Sequence, residues 1–355
     1  VQPCTYISIQ NEDPCSQLSA NLKLMLELGS AIETFDLTKS FGKVAAVQKV
    51  NLEVDQGEIF GFLGPNGAGK TTTIKMLCCL LHPTEGTAKI GGYDVLKEQQ
   101  KVKTKIGYVP ELSNIYIDLS ARYNLELMGK LYGVPRNIRK RRIDELLEVF
   151  ELTGRENDRV STFSKGMQRR LTIAAALVHN PEILFLDELT AGLDARSARR
   201  TRDLVKDLNS QGVTVFLTTH RMEEAQELCG RIGIIDFGKL VALDTMENLK
   251  KLVGESDILE LVVSEHSDLL AQCLSHIKWV HSVSSNRYSN VLRVRALDAD
   301  SALPEIIESA IRRKIRIVSV SKIEPTLEDV FLRLTGRTLR KEEPAHNLHP
   351  LVRGG

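Results

Sequence analysis

The sequence predicts an α/β fold followed by a small α+β unit. Three observations carry that expectation. From Ala31 to about Gly254, strand-like and helix-like runs alternate, as they do when helices cover the faces of a sheet. Within that stretch a glycine-rich run, Gly64 to Thr72 (GPNGAGKTT), joins an apolar strand, Glu58 to Leu63 (EIFGFL), to a helix over Thr72 to Leu81. Beyond Ser256 the runs follow the order β-α-β-β-α-β, which is the ferredoxin-like pattern.

Each element has its own signal. Short β-rich segments come first, at Ile32 to Leu37, Val44 to Val54 and Thr87 to Ile90. A mainly helical stretch runs from about Tyr116 to Asn180. Glu182 to Leu186 (EILFL) and Val213 to Leu217 (VTVFL) are apolar runs, Glu182 and Thr214 apart, as parallel strands buried on both faces are. A long helix near Ala195 to Gln211 lies between them. The second unit reads as strands Ile258 to Val263, Val280 to Ser285, Val291 to Ala296 and Ile315 to Val320. Its helices are Asp268 to His276 and Ser301 to Arg313, and a last helix spans Thr326 to Thr335. The expected division is a leader over 1–30, an α/β domain over 31–254, an accessory domain over 255–340 and a disordered tail over 341–355. The leader has no clear period and reads as poorly ordered or as a short helix around Leu18 to Leu28.

Composition narrows the function class. The 355 residues exceed what one compact domain usually holds. Hydrophobic residues make up 42% and charged residues 26%, which suits a soluble globular chain. A net charge of +1 argues against broad electrostatic capture of nucleic acid. The basic cluster Arg136 to Arg142 (RNIRKRR), followed by Asp144, Glu145 and Glu148, reads as a solvated helix face. Six cysteines (Cys4, Cys15, Cys78, Cys79, Cys229 and Cys273) form no C-x-x-C pair, so a reducing cytosol fits better than a disulfide framework or a zinc site. No signal peptide is expected, and no run of about 20 apolar residues could span a membrane.

The glycine-rich run meets the pattern G-x-x-x-x-G-K-[ST] at Gly64, Gly69, Lys70 and Thr71. Glycines let the chain turn and bring its N–H groups onto a polyphosphate, so Gly64, Pro65, Asn66, Gly67, Ala68, Gly69 and Thr72 are candidate phosphate contacts. The helix that follows adds unpaired N–H groups and the positive end of its dipole. Lys70 is placed to reach the terminal phosphates and Thr71 to ligate Mg²⁺. The competing reading is a glycine-rich turn without a ligand, which the flanking strand and helix disfavour.

Ile183 to Glu188 (ILFLDE) is four apolar residues ending in two carboxylates, a buried strand that delivers acids at its carboxyl end. With a phosphate loop in the same chain, Asp187 would hold Mg²⁺ and Glu188 would polarise an attacking water. His220 follows the run VTVFLTT. In an open parallel sheet these strand ends share one edge, where ligands bind. Ser164 to Arg170 (SKGMQRR) opens a second apolar helix, with Ser164 suited to the N-cap and Gly166 to close approach. That is a second anion site, although the phosphate loop already engages its own nucleotide. Two copies placed head to tail about a two-fold axis would sandwich two nucleotides between them.

The order GPNGAGKTT, FSKGMQ, ILFLDE, AGLD (Ala191 to Asp194) and His220 resembles the ATP-binding cassette family over about Ala31 to Gly254. The resemblance implies a RecA-like phosphate-loop core with an antiparallel β subdomain and a helical subdomain, acting as an ATPase. It implies ATP and Mg²⁺ as ligands. It places Phe41 against adenine, Ser164 and Gly166 on the opposite subunit's ATP, and Asp194 in the loop joining the two sites. The run Thr218 to Ile232 and the segment Pro325 to Gly336 (PTLEDVFLRLTG) are similar to ATPase subunits of drug and sodium exporters with a C-terminal extension. A second cassette, an integral membrane permease and a place on the cytoplasmic face of the membrane follow from that likeness. The chain departs from the family pattern at Phe163, Lys165 and Met167 in the signature segment. It also has Glu111 where the family has a glutamine, and Leu189 where it has a proline. Two other readings stay open: a soluble cassette acting on ribosomes or DNA, and a nucleotide sensor with little turnover. Neither a second cassette nor a long coiled coil is visible in the chain to favour the first.

Overall fold

The computed structural model describes residues 29–252, 257–264, 267–286, 290–323 and 326–336. The expected leader up to residue 28, the boundary at Gly254 and the tail from 341 lie outside those residues. The chain begins with β1 (Ser30–Phe41), β2 (Val44–Val50) and β3 (Glu53–Asp55), and then β4 (Ile59–Leu63) leads into the helix Lys70–Leu77. Next come β5 (Glu85–Ile90), β6 (Tyr93–Asp94) and β7 (Ile106–Val109). Three helices, Ala121–Leu131, Arg136–Val149 and Lys165–Ala176, separate β7 from β8 (Ile183–Asp187). After β8 come the helix Ala195–Ser210, β9 (Thr214–Thr219), β10 (Arg231–Asp236) and β11 (Lys239–Thr245). The last unit holds β12 (Asp257–Val263), β13 (Val280–Asn286), β14 (Val291–Ala296) and β15 (Ile317–Ile323).

Three sheets result. The main one has the order β11-β10-β4-β9-β8-β7 and is parallel except for the edge strand β11. β4, β8 and β9 are buried along their whole length, and their alternation sorts side chains between two cores. Phe60, Phe62, Phe185 and Phe216 point to one face, where Phe216 lies 5.4 to 5.6 Å from each of the other three ring centroids. That core is shared with β1, β2, β5 and the helix Lys70–Leu77. Leu184, Leu186, Val215 and Leu217 point to the other face, against the helices that follow β7. The antiparallel and helical subdomains are thus the two covers of one sheet.

The expected strand Val44 to Val54 is broken into β2 and β3. Lys49 takes a left-handed conformation, with φ +45°. The Thr34 hydroxyl donates to the Val50 carbonyl and accepts from the Leu52 N–H at 2.8 Å, filling the gap in the ladder. The helix after the phosphate loop begins at Lys70 and stops at Leu77 rather than Leu81. Cys79 there has φ +55°, which a continuing helix cannot accommodate. β15 starts at Ile317, two residues beyond expectation, because Lys314 turns left-handed and the Ile315 N–H closes back onto the Ala310 carbonyl.

The third sheet has the antiparallel order β13-β14-β12-β15. That is the ferredoxin-like arrangement, with the outer strands second and last in the chain. Two helices, Ser267–Leu274 and Ala299–Arg312, cover one face through Leu270, Leu274, Ala302 and Ile306. The helix Leu327–Thr335 does otherwise. Its Leu327, Val330 and Phe331 pack on Leu63, Ala225, Ile232, Ile234 and Leu249 of the larger α/β unit. The side chain of Arg295 in β14 donates to Asp329 Oδ1 at 2.6 Å, so the same helix also holds the third sheet. This helix is therefore the clasp between the two units. Phe331→Ala should cost about 3–5 kcal/mol, the usual loss for a fully buried aromatic. Thermal unfolding and limited proteolysis between the units would check that, and an unchanged profile would contradict the clasp.

Candidate functional site

The carboxyl ends of the parallel strands build the site. Leu63 pairs with Thr219, and Thr218 pairs with Asp187. The residues that follow each strand, Gly64, Glu188 and His220, therefore emerge side by side at the sheet edge. Around them lies a cavity of about 660 Å³, lined by Pro65, Asn66, Gly67, Gly69, Lys70, Thr71 and Thr72 on one side. Ala46, Glu111, Glu188, Ala191, Gly192, His220 and Arg221 line the remainder. Gly69 caps the following helix with φ +108°, and a Cβ there would meet the Ala46 carbonyl at 2.5 Å. Only glycine allows this turn to lie so close to the antiparallel subdomain.

Charges converge inside the cavity. Lys70 Nζ donates to the Gly64 carbonyl at 2.7 Å and stands 3.2 Å from Glu188 Oε1. The other Glu188 oxygen is 2.8 Å from His220 Nδ1. Lys70 and Glu188 are 6% and 7% exposed, so each is stripped of most of its water. Burial by itself raises the Glu188 carboxyl, but the His220 hydrogen bond and the Lys70 charge outweigh it and hold the group below its ordinary range. Its contribution to stability is therefore present above the ordinary carboxylate pKa and is lost as pH falls through the lower folded value. Next to this pair, Asp187 Oδ1 accepts from Thr71 Oγ1 at 3.2 Å and from Thr218 Oγ1 at 2.6 Å.

Other sequence candidates take different places. Gly64 and Ala68 shape the loop from below, and Ala68 is buried in the core shared with β2. Glu111 reaches the cavity wall. Phe41 does not line the cavity. It stands 51% exposed at the end of β1, with the Lys39 ammonium 5.3 Å from its ring. Ser164 caps the helix Lys165–Ala176 by accepting from the Met167 N–H at 3.2 Å. Asp194 caps the helix Ala195–Ser210 and accepts from the Ser197 hydroxyl at 2.7 Å. Gly166 lies against that same serine, where a Cβ would come within 2.6 Å of Ser197 Oγ. Ser164, Gly166 and Asp194 thus form one cluster, apart from the cavity of their own chain.

Sequence reasoning overlooked Arg169, which is buried behind the cavity and binds main-chain carbonyls on both of its walls. It lies in the segment Ser164 to Arg170, which reads as a second anion site without a role for this arginine. Its spacing from Gly166 and Thr172 was the available signal, because i, i+3 and i+6 fall on one helix face.

Comparison with known proteins settles the family. The model of the ABC transporter family matches residues 47–191. The model of the DrrA1-3-like ATP-binding protein C-terminal domain matches residues 245–335. The linearmycin resistance ATP-binding protein LnrL of Bacillus subtilis is 39% identical over 309 residues, covering 87% of this chain and 99% of its own. The chain belongs to the ABC transporter ATP-binding proteins. This cassette is also 37% identical to the daunorubicin/doxorubicin resistance protein DrrA of Streptomyces peucetius, over 86% of this chain and 92% of the relative. It is 35% identical to the bacitracin transport ATP-binding protein BcrA of Bacillus licheniformis, over 87% and 98%. Among solved structures, an ATP-binding subunit of an ABC transporter superposes with a TM-score of 0.58 at 28% identity, over 63% of this chain and 93% of that one. A dimeric cassette in a post-hydrolysis state, bound to ADP and Pi, gives 0.56 at 30% identity, over 61% and 98%.

The cassette is thus an ATP-binding, ATP-hydrolysing subunit that powers an exporter together with a separate permease, as the sequence implied. Among its described residues no helix is long and apolar enough to cross a membrane. Lys70→Ala should lower affinity for ATP by at least tenfold, since a charge-assisted contact to phosphate is removed. Unchanged binding of a fluorescent ATP analogue would contradict the loop assignment.

Proposed function

We propose that Glu188 is the general base of ATP hydrolysis, within a site completed by a second copy of the chain. The observation that carries this reading is the contact of Glu188 with both Lys70 and His220 at the mouth of the phosphate loop. Its carboxylate is held ionised and can accept a proton from water. Lys70, freed from Glu188 as the triphosphate enters, meets the γ-phosphate. His220, 45% exposed at the rim, meets the same phosphate from the other side. Backbone N–H groups of Gly64 to Thr72 cradle the remaining phosphates, and Phe41 stacks on the adenine.

The donor set suits Mg²⁺. No group of three or more His, Cys, Asp or Glu among the described residues could hold a metal by itself. A hydroxyl and a carboxylate in contact, Thr71 and Asp187, match an ion that takes few protein ligands and fills the rest with phosphate oxygens and water. When bound there, the ion would neutralise charge developing on the phosphates. Glu111, on the opposite wall, would meet either that ion or the permease.

The cluster of Ser164, Gly166 and Asp194 supports the dimer reading, because it presents a helix N-terminus to no nucleotide of its own chain. In a two-fold pair Ser164 and Gly166 would contact the partner's ATP, and Asp194 would lie between the two sites. We place the homodimer on the cytoplasmic face of the membrane, held there by its permease. The resistance proteins among its relatives support an antibiotic cargo.

Glu188→Gln should retain ATP affinity and lose about 10²–10⁴ of turnover, the range general-base catalysis supplies. Near-normal phosphate release by that variant would exclude Glu188 as the base. Coexpression of the cassette with its permease should raise tolerance to an exported antibiotic, and Lys70→Ala should abolish the gain. Equal tolerance with and without the functional cassette would remove that cargo.

A further inference from the structure

Glu188 sits in a conformation that only its surroundings can enforce. Its φ of +49° lies in the left-handed region, which side-chain-bearing residues adopt where the structure around them over-determines it. The Glu188 N–H is tied to the Thr218 carbonyl at 3.0 Å. Three carbonyls of this turn are tied by one side chain from another element.

That side chain is Arg169, on the helix capped by Ser164 and only 6% exposed. A guanidinium carries five N–H donors, and here they meet five main-chain carbonyls. Nε donates to Leu189 at 2.9 Å, and Nη2 donates to Asp187 at 2.9 Å and to Glu188 at 3.1 Å. Nη1 donates to Pro110 at 2.5 Å and to Glu111 at 3.4 Å. The first three carbonyls belong to the last residue of β8 and the turn after it, the other two to the loop after β7. Glu188 and Glu111 both line the nucleotide cavity. One planar group therefore backs two walls of the site at once.

Burial of this cation depresses its pKa, and the charges of Glu224, Asp187 and Glu111 oppose that shift. A guanidinium keeps its proton in such surroundings, and its rigid fork matches several acceptors in one plane. A lysine ammonium is a point charge with three donors and would serve only part of the set. A packing role alone would not need donors aimed at both loops.

We propose that Arg169 is a positioning residue of the hydrolysis reaction, holding the Asp187–Leu189 turn so that the Glu188 carboxylate faces the cavity. It acts through Glu188 and does not itself touch the nucleotide. The inference rests on the reading of Glu188 as the base.

The test compares Arg169→Lys, Arg169→Met, Glu188→Gln and the double variant Glu188→Gln/Arg169→Met in the full chain. Affinity for ATP and single-turnover hydrolysis are measured separately, with thermal unfolding to confirm the fold. Arg169→Met should lower the hydrolysis rate by about 10–100-fold, as loss of supporting contacts to a reacting group does elsewhere, while ATP affinity stays within about threefold. Arg169→Lys should recover part of the rate, and it carries the test if the methionine variant does not fold. The double variant should be no slower than Glu188→Gln alone, because both changes remove one function. A rate within about twofold of the parent for both Arg169 variants would overturn the proposal. So would an ATP affinity that falls in step with the rate, or losses that multiply in the double variant. Normal hydrolysis by Glu188→Gln would instead remove the base assignment, and that outcome is read independently of Arg169.

Discussion

In-register pairing of three buried parallel strands is the constraint on which the site depends. Leu63, Thr219 and Thr218, and Asp187 lie abreast at the carboxyl ends of β4, β9 and β8. A slip of one residue in any pair would turn a strand's aromatic and aliphatic sets onto the wrong faces. Phe60, Phe62, Phe185 and Phe216 would leave the core they share. The same packing that stabilises the sheet thus fixes which residues emerge together at its edge. The geometry of the candidate site comes at little extra cost, because it is a by-product of hydrophobic register.

The edge itself is less favourable. Lys70, Asp187 and Glu188 are all nearly buried, and removing such charges from water costs more than surface pairing returns. The Lys70 to Glu188 contact offsets part of that cost, as do the hydrogen bonds from Thr71 and Thr218 to Asp187. A triphosphate and its counter-ion would exchange these internal partners for ligand contacts.

Much of this was legible in the chain. GPNGAGKTT and ILFLDE each combine a residue pattern with a strand context, so their chemistry and their place at the sheet edge could be read together. His220 was legible for the same reason, being the residue after an apolar run. Arg169 was not, because the pattern of Ser164 to Arg170 marks a helix start and does not show which of its side chains turns inward. Phe41 was assigned by likeness alone. The structure leaves it exposed at the end of β1, outside the cavity lining. Gly166 was read as allowing close approach, and within its own chain the group that approaches it is Ser197 from the next helix.

The accessory unit divides along the same line. Its β-α-β-β-α-β order follows from alternation and turn residues, which are local, and the strand order β13-β14-β12-β15 agrees with it. The helix Leu327–Thr335 was visible as a helix, but its partner was not. An amphipathic face specifies that it must be covered and is silent about what covers it. Only the tertiary structure sets Phe331 on Leu63 and Ile232, and only it aims the Arg169 guanidinium at five carbonyls. Local order along the chain determined the elements and the chemistry at their ends. Contacts between residues far apart in sequence decided how those ends are held, because backbone carbonyls offer the same acceptor at every residue and carry no mark of which side chain will reach them.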